Sequence, residues 1–256
     1  MNFRTEFKSK HPTFQIDHHN RIFTIGSCFA TNITELLRKD GFHVLPSPFG
    51  IVYNPISLSR QMEGIRSQRM YTSDQLFELN ELWHSFDHHG TYSGVDQSKV
   101  LTRMNTSIAH AHKKLSDCSL FIITLGTAWI YTHKESSCIV SNCHKVPNSA
   151  FKKSLLTVNE VVDALSEMIT TFVQHMPNIQ ILFTLSPVRH LKDGFEENAL
   201  SKSTLRLAIH ELINKFEHVH YFPAFEIQLD DLRDYRFYAT DLVHPSAEAV
   251  QYIYDT

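Results

Sequence analysis

The 256-residue sequence has no run of basic residues, no apolar stretch long enough to cross a bilayer, and neither an internal repeat nor a low-complexity tract. Each absence removes a class of protein. With 24 Lys+Arg against 27 Asp+Glu and a formal net charge of -3, there is no electrostatic footprint for a nucleic acid, and none is expected as a partner. Met1 to Asn20 are polar, with several His and Lys and no apolar core, so they predict neither a signal peptide nor a membrane span, and the expected compartment is cytoplasmic. Cysteine is scarce: Cys28, Cys118, Cys138 and Cys143 show no dense spacing, which fits a reducing compartment and a fold that needs no disulfides.

What is present is a sufficient core. At 42% hydrophobic and 20% charged residues, the chain suits a single α/β domain spanning 1–256. Apolar, β-branched runs predict strands at 21–25, 119–125, 179–185 and 218–222, with a shorter one at 42–45. Helical periodicity predicts helices at 29–39, 55–66, 100–115, 158–175, 198–216 and 245–254. Strands alternating with helices imply a mainly parallel sheet covered on both faces, a three-layer α/β/α sandwich. Two insertions interrupt the alternation: 74–94, with Trp83, His84, Phe86, His88 and His89, reads as extended or hairpin structure, and 131–151 as a long polar connection.

In open α/β sheets ligands bind beyond the carboxyl ends of the strands, which is where Ser27, Gly126 and Ser186 fall. Ser27 follows the first strand and opens the first helix, so its hydroxyl is either a helix cap or a nucleophile. Far downstream stands Asp241-Leu242-Val243-His244, whose carboxylate and imidazole can pair within one turn. Taken alone, that pair is equally an ordinary turn leading to Pro245 at the start of a helix. Together, a serine after the first strand and an Asp-x-x-His after the last have the order of a Ser-His-Asp triad.

The block Gly26-Ser27-Cys28-Phe29-Ala30 resembles the signature for which the GSCFA family is named, a branch similar to the SGNH or GDSL hydrolases. Further matching segments are Phe49-Gly50-Ile51-Val52-Tyr53-Asn54-Pro55, Trp83-His84-Ser85-Phe86, Thr124-Leu125-Gly126-Thr127-Ala128-Trp129, Asn142-Cys143-His144-Lys145, Ser186-Pro187-Val188-Arg189-His190 and Asp241-Leu242-Val243-His244-Pro245. The resemblance implies an SGNH-like, flavodoxin-like fold with Ser27 as nucleophile, His244 as general base and then acid, and Asp241 as the group that orients it. It implies a serine esterase or deacylase that works through an acyl-enzyme, acts on a small-molecule or carbohydrate ester, and needs no cofactor. An acyltransferase using the same site, and a ligand-binding module with weakened chemistry, are the alternatives.

One element departs from the SGNH pattern. Ala128 stands where a Gly-x-Asn-Asp block would supply an asparagine to the oxyanion. Replacement donors are Asn54, the Thr127 hydroxyl and the backbone N–H groups of Ser27 and Gly50, with Gly126 in the same turn; Gly50, Gly126 and Asn54 also suit tight turns or a helix cap. His84, Arg189 and His190 are candidates for substrate contact at the mouth. Two rival chemistries are weaker: a Cys28 thiolate beside Ser27, and a metal held by His133, Cys138, Cys143 and His144, which lack the paired short spacings of zinc sites.

Overall fold

Every residue of the first strand after Arg21 is buried, so this strand requires cover on both faces. The computed structural model, which describes residues 14–256 together with Thr5, Phe7 and Lys8, supplies that cover with a sheet between two helical layers. In chain order the strands are β1 (Arg21–Gly26), β2 (His43–Pro46), β3 (Phe77–Leu79), β4 (Leu82–His84), β5 (Leu120–Leu125), β6 (Trp129–His133), β7 (Ile139–Val140), β8 (Phe151–Leu155), β9 (Gln180–Leu185) and β10 (Val219–Phe222). The helices are α1 (Cys28–Lys39), α2 (Pro55–Arg66), α3 (Gln97–Leu115), α4 (Val158–His175), α5 (Phe195–Lys215), α6 (Ala224–Glu226) and α7 (Ala247–Asp255), and a π-helical turn, Ile227–Leu232, follows α6.

The main sheet runs β2-β1-β5-β9-β10 with all neighbours parallel. Counting only these strands, the order is 2-1-3-4-5, the flavodoxin-like arrangement, in which the winding direction reverses between β1 and β5 and opens a crevice at their carboxyl ends. Strand alternation divides the core. Phe23, Ile25, Phe121 and Ile123 pack with Leu58, Met62, Met104, Leu165 and Leu205 of α2 to α5, whereas Ile22, Leu120 and Ile122 pack with Leu37 of α1 and Tyr254 of α7. Each such apolar side chain contributes on the order of 1.5–3 kcal/mol by burial.

Capping fixes where helices begin. Asn54 Oδ1 accepts from Ser57 N with Pro55 in the first turn of α2, Asp96 caps α3, Thr157 and Glu160 form a capping box on α4, and Ser246 caps α7. The structure adds what periodicity did not predict. The stretch read as a polar connection at 131–151 joins and partly forms an antiparallel sheet β7-β6-β8, whose short strands carry little periodicity, whereas residues 74–94 hold the β3–β4 hairpin, in keeping with the extended or hairpin reading. Among the described residues no helix is long and apolar enough to cross a membrane.

At the end of β1 the backbone turns on Gly26, which has φ +140°, and a Cβ placed there would stand 2.1 Å from the Thr124 carbonyl oxygen. That contact is with backbone, so no side chain can yield. Gly26→Ala is therefore expected to destabilise the protein by roughly 3 kcal/mol or more, read as a lower urea midpoint. An unchanged midpoint would refute the tight β1–β5 approach.

Candidate active site

Ser27 lies at the cap position of α1, with φ −66° and ψ 176°, yet its side chain makes no capping hydrogen bond. Its residue exposure is 0% and its Oγ has no hydrogen-bond partner. The helix-cap explanation of this serine therefore fails, and a free buried hydroxyl remains at the end of the first strand. The Ser27 N–H donates to Thr124 O at 3.1 Å, so that group is already spent in the β1–β5 ladder.

Residues 52 and 53 bridge the ends of β1 and β5. Val52 N donates to Gly26 O at 2.9 Å, while Tyr53 O accepts from both Gly126 N at 2.9 Å and Thr127 N at 3.0 Å. A Cβ on Gly126 would lie 3.1–3.2 Å from Tyr53, so a glycine allows this close approach. Asn54 is buried; its Oδ1 is fixed by Ser57 N at 2.8 Å, which leaves its amide nitrogen with no hydrogen bond to the protein. The other donors named from sequence are occupied. Thr127 Oγ1 is shared with Ser201 Oγ at 3.0 Å and accepts from Trp129 N at 3.0 Å, and Gly50 N points to Ser47 O at 3.3 Å. Gly50 instead lines a cavity of about 320 Å³ with Gly26, Arg38, Ser47, His89 and Thr91.

Across the crevice, His244 Nδ1 and Asp241 Oδ2 are 2.7 Å apart. Asp241 Oδ1 accepts from Val243 N at 2.9 Å and His244 N at 3.0 Å. The backbone N–H groups of His244 and Val243, with the His244 side chain behind them, pull the Asp241 carboxyl down to about 2. A charged carboxylate on Nδ1 fixes the proton of neutral His244 on that nitrogen and leaves Nε2 as an acceptor. Both side chains are nearly half exposed, 47% for His244 and 48% for Asp241, and no hydrogen bond joins Ser27 Oγ to His244.

Arg189 holds this segment from behind. Its N–H donates to Val243 O at 3.1 Å, its guanidinium donates to Leu242 O, and it stacks over Tyr238 and Tyr235 at 4.4 and 5.2 Å. Leu242 has φ +56°, a strained conformation that these contacts help to impose. Arg189 thus ties the Asp241–His244 turn to the end of β9. His190 presents its ring edge-on to Tyr53 at 5.5 Å; its Nε2 is buried without a partner. Burial, assisted by the charges of Lys202 and His244, holds His190 down to about 4, so it is neutral at physiological pH.

His84 is not brought to this crevice by any of its bonds. Its ring nitrogens pair with Ser93 Oγ at 2.6 Å and Leu79 O at 3.2 Å, both in the 74–94 insertion, and it packs on His144 of the 131–151 stretch. Cys28 is partly buried and burial raises its thiol, which keeps it protonated near neutrality. Among the described residues no group of three His, Cys, Asp or Glu could hold a metal ion. Sequence reasoning missed Lys202, a fully enclosed ammonium below the crevice. A lysine flanked by polar residues in a helical run looks like a solvated surface position.

The sequence profile of the GSCFA family matches residues 21–256. The chain belongs to the GSCFA family. No curated protein sequence matches this GSCFA chain. Solved structures similar to it are distant. A Streptococcus pneumonia protein, provisionally assigned as a platelet activating factor, has 14% identity, a TM-score of 0.46, and coverage of 95% of this chain and 84% of its own. A carbohydrate esterase family 2 enzyme with a carbohydrate binding domain, from Corynascus thermopiles (Myceliophthora fergusii), has 14% identity and a TM-score of 0.46, with coverage of 96% and 66% respectively. A Clostridium thermocellum family 3 carbohydrate esterase has 13% identity and a TM-score of 0.38, with 92% of each chain covered.

Proposed function

We propose that this GSCFA protein is an SGNH-type serine hydrolase that cleaves an acyl ester, with a small molecule or carbohydrate as the alcohol part. The observation that carries the proposal is the pair of free groups at one sheet edge: a Ser27 hydroxyl that neither caps its helix nor bonds elsewhere, and an Asp241–His244 pair with Nε2 unoccupied by Asp241. In the reaction Ser27 Oγ attacks the ester carbonyl carbon while His244 Nε2 takes its proton. Collapse of the tetrahedral adduct expels the alcohol, which receives that proton. Water then attacks the acyl-enzyme, again giving its proton to His244, and the carboxylic acid leaves with Ser27 restored. An alcohol in place of water would make the same site an acyltransferase.

The oxyanion donor in this scheme is the amide nitrogen of Asn54, held by its own cap bond. Asn54→Ser retains a capping oxygen for α2 and removes the amide, so Tm is expected to change little while kcat falls about 10²–10³-fold. Equal losses in stability and rate would sink this assignment.

Acylation requires Ser27 to turn, or the Arg189-clamped segment to close, because hydrogen bonds of a catalytic site often align only with substrate present. The enclosure of Ser27 and its missing bond to His244 favour a second reading, a binding module on the hydrolase fold. Labelling with a fluorophosphonate, read by intact mass, separates them: one adduct on Ser27, absent from His244→Ala, supports the hydrolase, and a well-folded protein that takes no adduct supports the binding module.

A further inference from the structure

Lys202, in the second turn of α5, is 2% exposed, and its ammonium donates to Gly126 O at 2.8 Å and Ser186 O at 2.7 Å. These are the first carbonyls past β5 and β9, whose pairing register ends at Leu125 and Leu185. Without Lys202 both would be buried at the sheet edge with no ladder partner. The preceding residue acts on the same turn: Ser201 Oγ accepts from Ala128 N at 2.8 Å and pairs with Thr127 Oγ1. The Gly126–Ala128 turn, which stands where the SGNH pattern would have its asparagine block, is thus organised from α5.

The two carbonyls lead to opposite sides of the crevice. Gly126 and Thr127 hold Tyr53 O and with it the segment that carries Asn54. Ser186 begins the segment whose Arg189 clamps Leu242 and Val243, next to His244. A single buried ammonium therefore bonds both arms of the site. Burial pulls Lys202 down to about 7, and both the ammonium and the neutral amine carry enough N–H groups to donate to the two carbonyls.

We propose that Lys202 is a positioning residue, a hydrogen-bonding staple that sets the spacing between the Ser27–Asn54 side of the site and the Asp241–His244 side. Its effect on chemistry rests on the assignment of Ser27 as nucleophile; its effect on the two strand ends does not.

The test measures amide hydrogen exchange and Ser27 fluorophosphonate labelling in parallel for wild type, Lys202→Met and Lys202→Arg. In Lys202→Met, exchange in peptides covering 124–128 and 186–189 is expected to rise at least about 10-fold while the rest of the protein stays unchanged. Labelling is expected to fall about 100-fold, the usual consequence of a displacement near 1 Å, and Lys202→Arg, which keeps a charged donor, is expected to recover at least about a tenth of the wild-type rate. Unchanged exchange in both peptides overturns the proposal, as does faster exchange with unaltered labelling. If wild type takes no adduct but exchange still rises in Lys202→Met, the hydrolase reading falls and the staple stands. Should Lys202→Met fail to fold, Ser201→Ala releases the same turn without touching a charge, and a turn that stays protected there overturns the organisation from α5.

Discussion

Ser27→Ala is expected to abolish the fluorophosphonate adduct and to lower ester turnover by about 10⁶-fold while leaving the melting temperature unchanged or slightly raised. The combination is what distinguishes a nucleophile from a helix cap. A capping serine replaced by alanine costs about 1 kcal/mol, because an orphan N–H at the start of the helix loses its acceptor. Here the Oγ caps nothing and bonds nothing, so its removal eliminates a desolvated hydroxyl and breaks no interaction. The loss is confined to the bond-making step. Scanning calorimetry beside a labelling time course decides the matter: a variant that loses stability and keeps its adduct would identify Ser27 as structural and place the reactive group elsewhere.

The main sheet was readable because its central strands are buried on both faces and so appear as nearly unbroken apolar runs. The β5 sequence Leu-Phe-Ile-Ile-Thr-Leu is buried throughout and leaves no other plausible assignment. Helix α2 was bounded to the residue, since Asn54 and Pro55 mark its start chemically. The β6–β8 sheet escaped because a two-residue strand such as β7 has no period to detect, and β8, on the other side of β6, exposes Lys152 and Lys153. At the site, contacts that follow from a local motif were legible: the Asp241 to His244 spacing alone predicts the pair that the structure contains. Contacts that depend on long-range packing were not. Arg189 is a candidate for substrate contact in sequence, which does not reveal its bond to a turn 53 residues away; Lys202 reads as surface and caps strand ends 76 and 16 residues away. The occupied state of the Ser27 and Gly50 N–H groups is likewise set by Thr124 and Ser47, which no motif announces.

Asp241→Asn is expected to slow Ser27 labelling by about 10⁴-fold with little change in fold. The asparagine side chain is nearly isosteric, and its carbonyl oxygen can still accept from Val243 N and His244 N, the two bonds that shape the turn. What then faces His244 Nδ1 is an NH₂ group. Nδ1 must become the acceptor, the proton moves to Nε2, and an imidazole protonated there cannot receive the proton of Ser27. The wild-type carboxyl sits near 2, well below its unfolded value near 4, so the turn gains stability from the charged form above pH 4 and loses it only as the pH falls toward 2. Across the range in which the protein would be assayed Asp241 is therefore always ionised. Nitrogen NMR of His244 checks the mechanism directly: wild type is expected to carry its proton on Nδ1 and Asp241→Asn on Nε2. A variant that keeps the Nδ1 proton and still loses labelling would show that Asp241 acts through its charge on the imidazolium rather than through the tautomer, and a variant that labels normally would remove the pair from the chemistry.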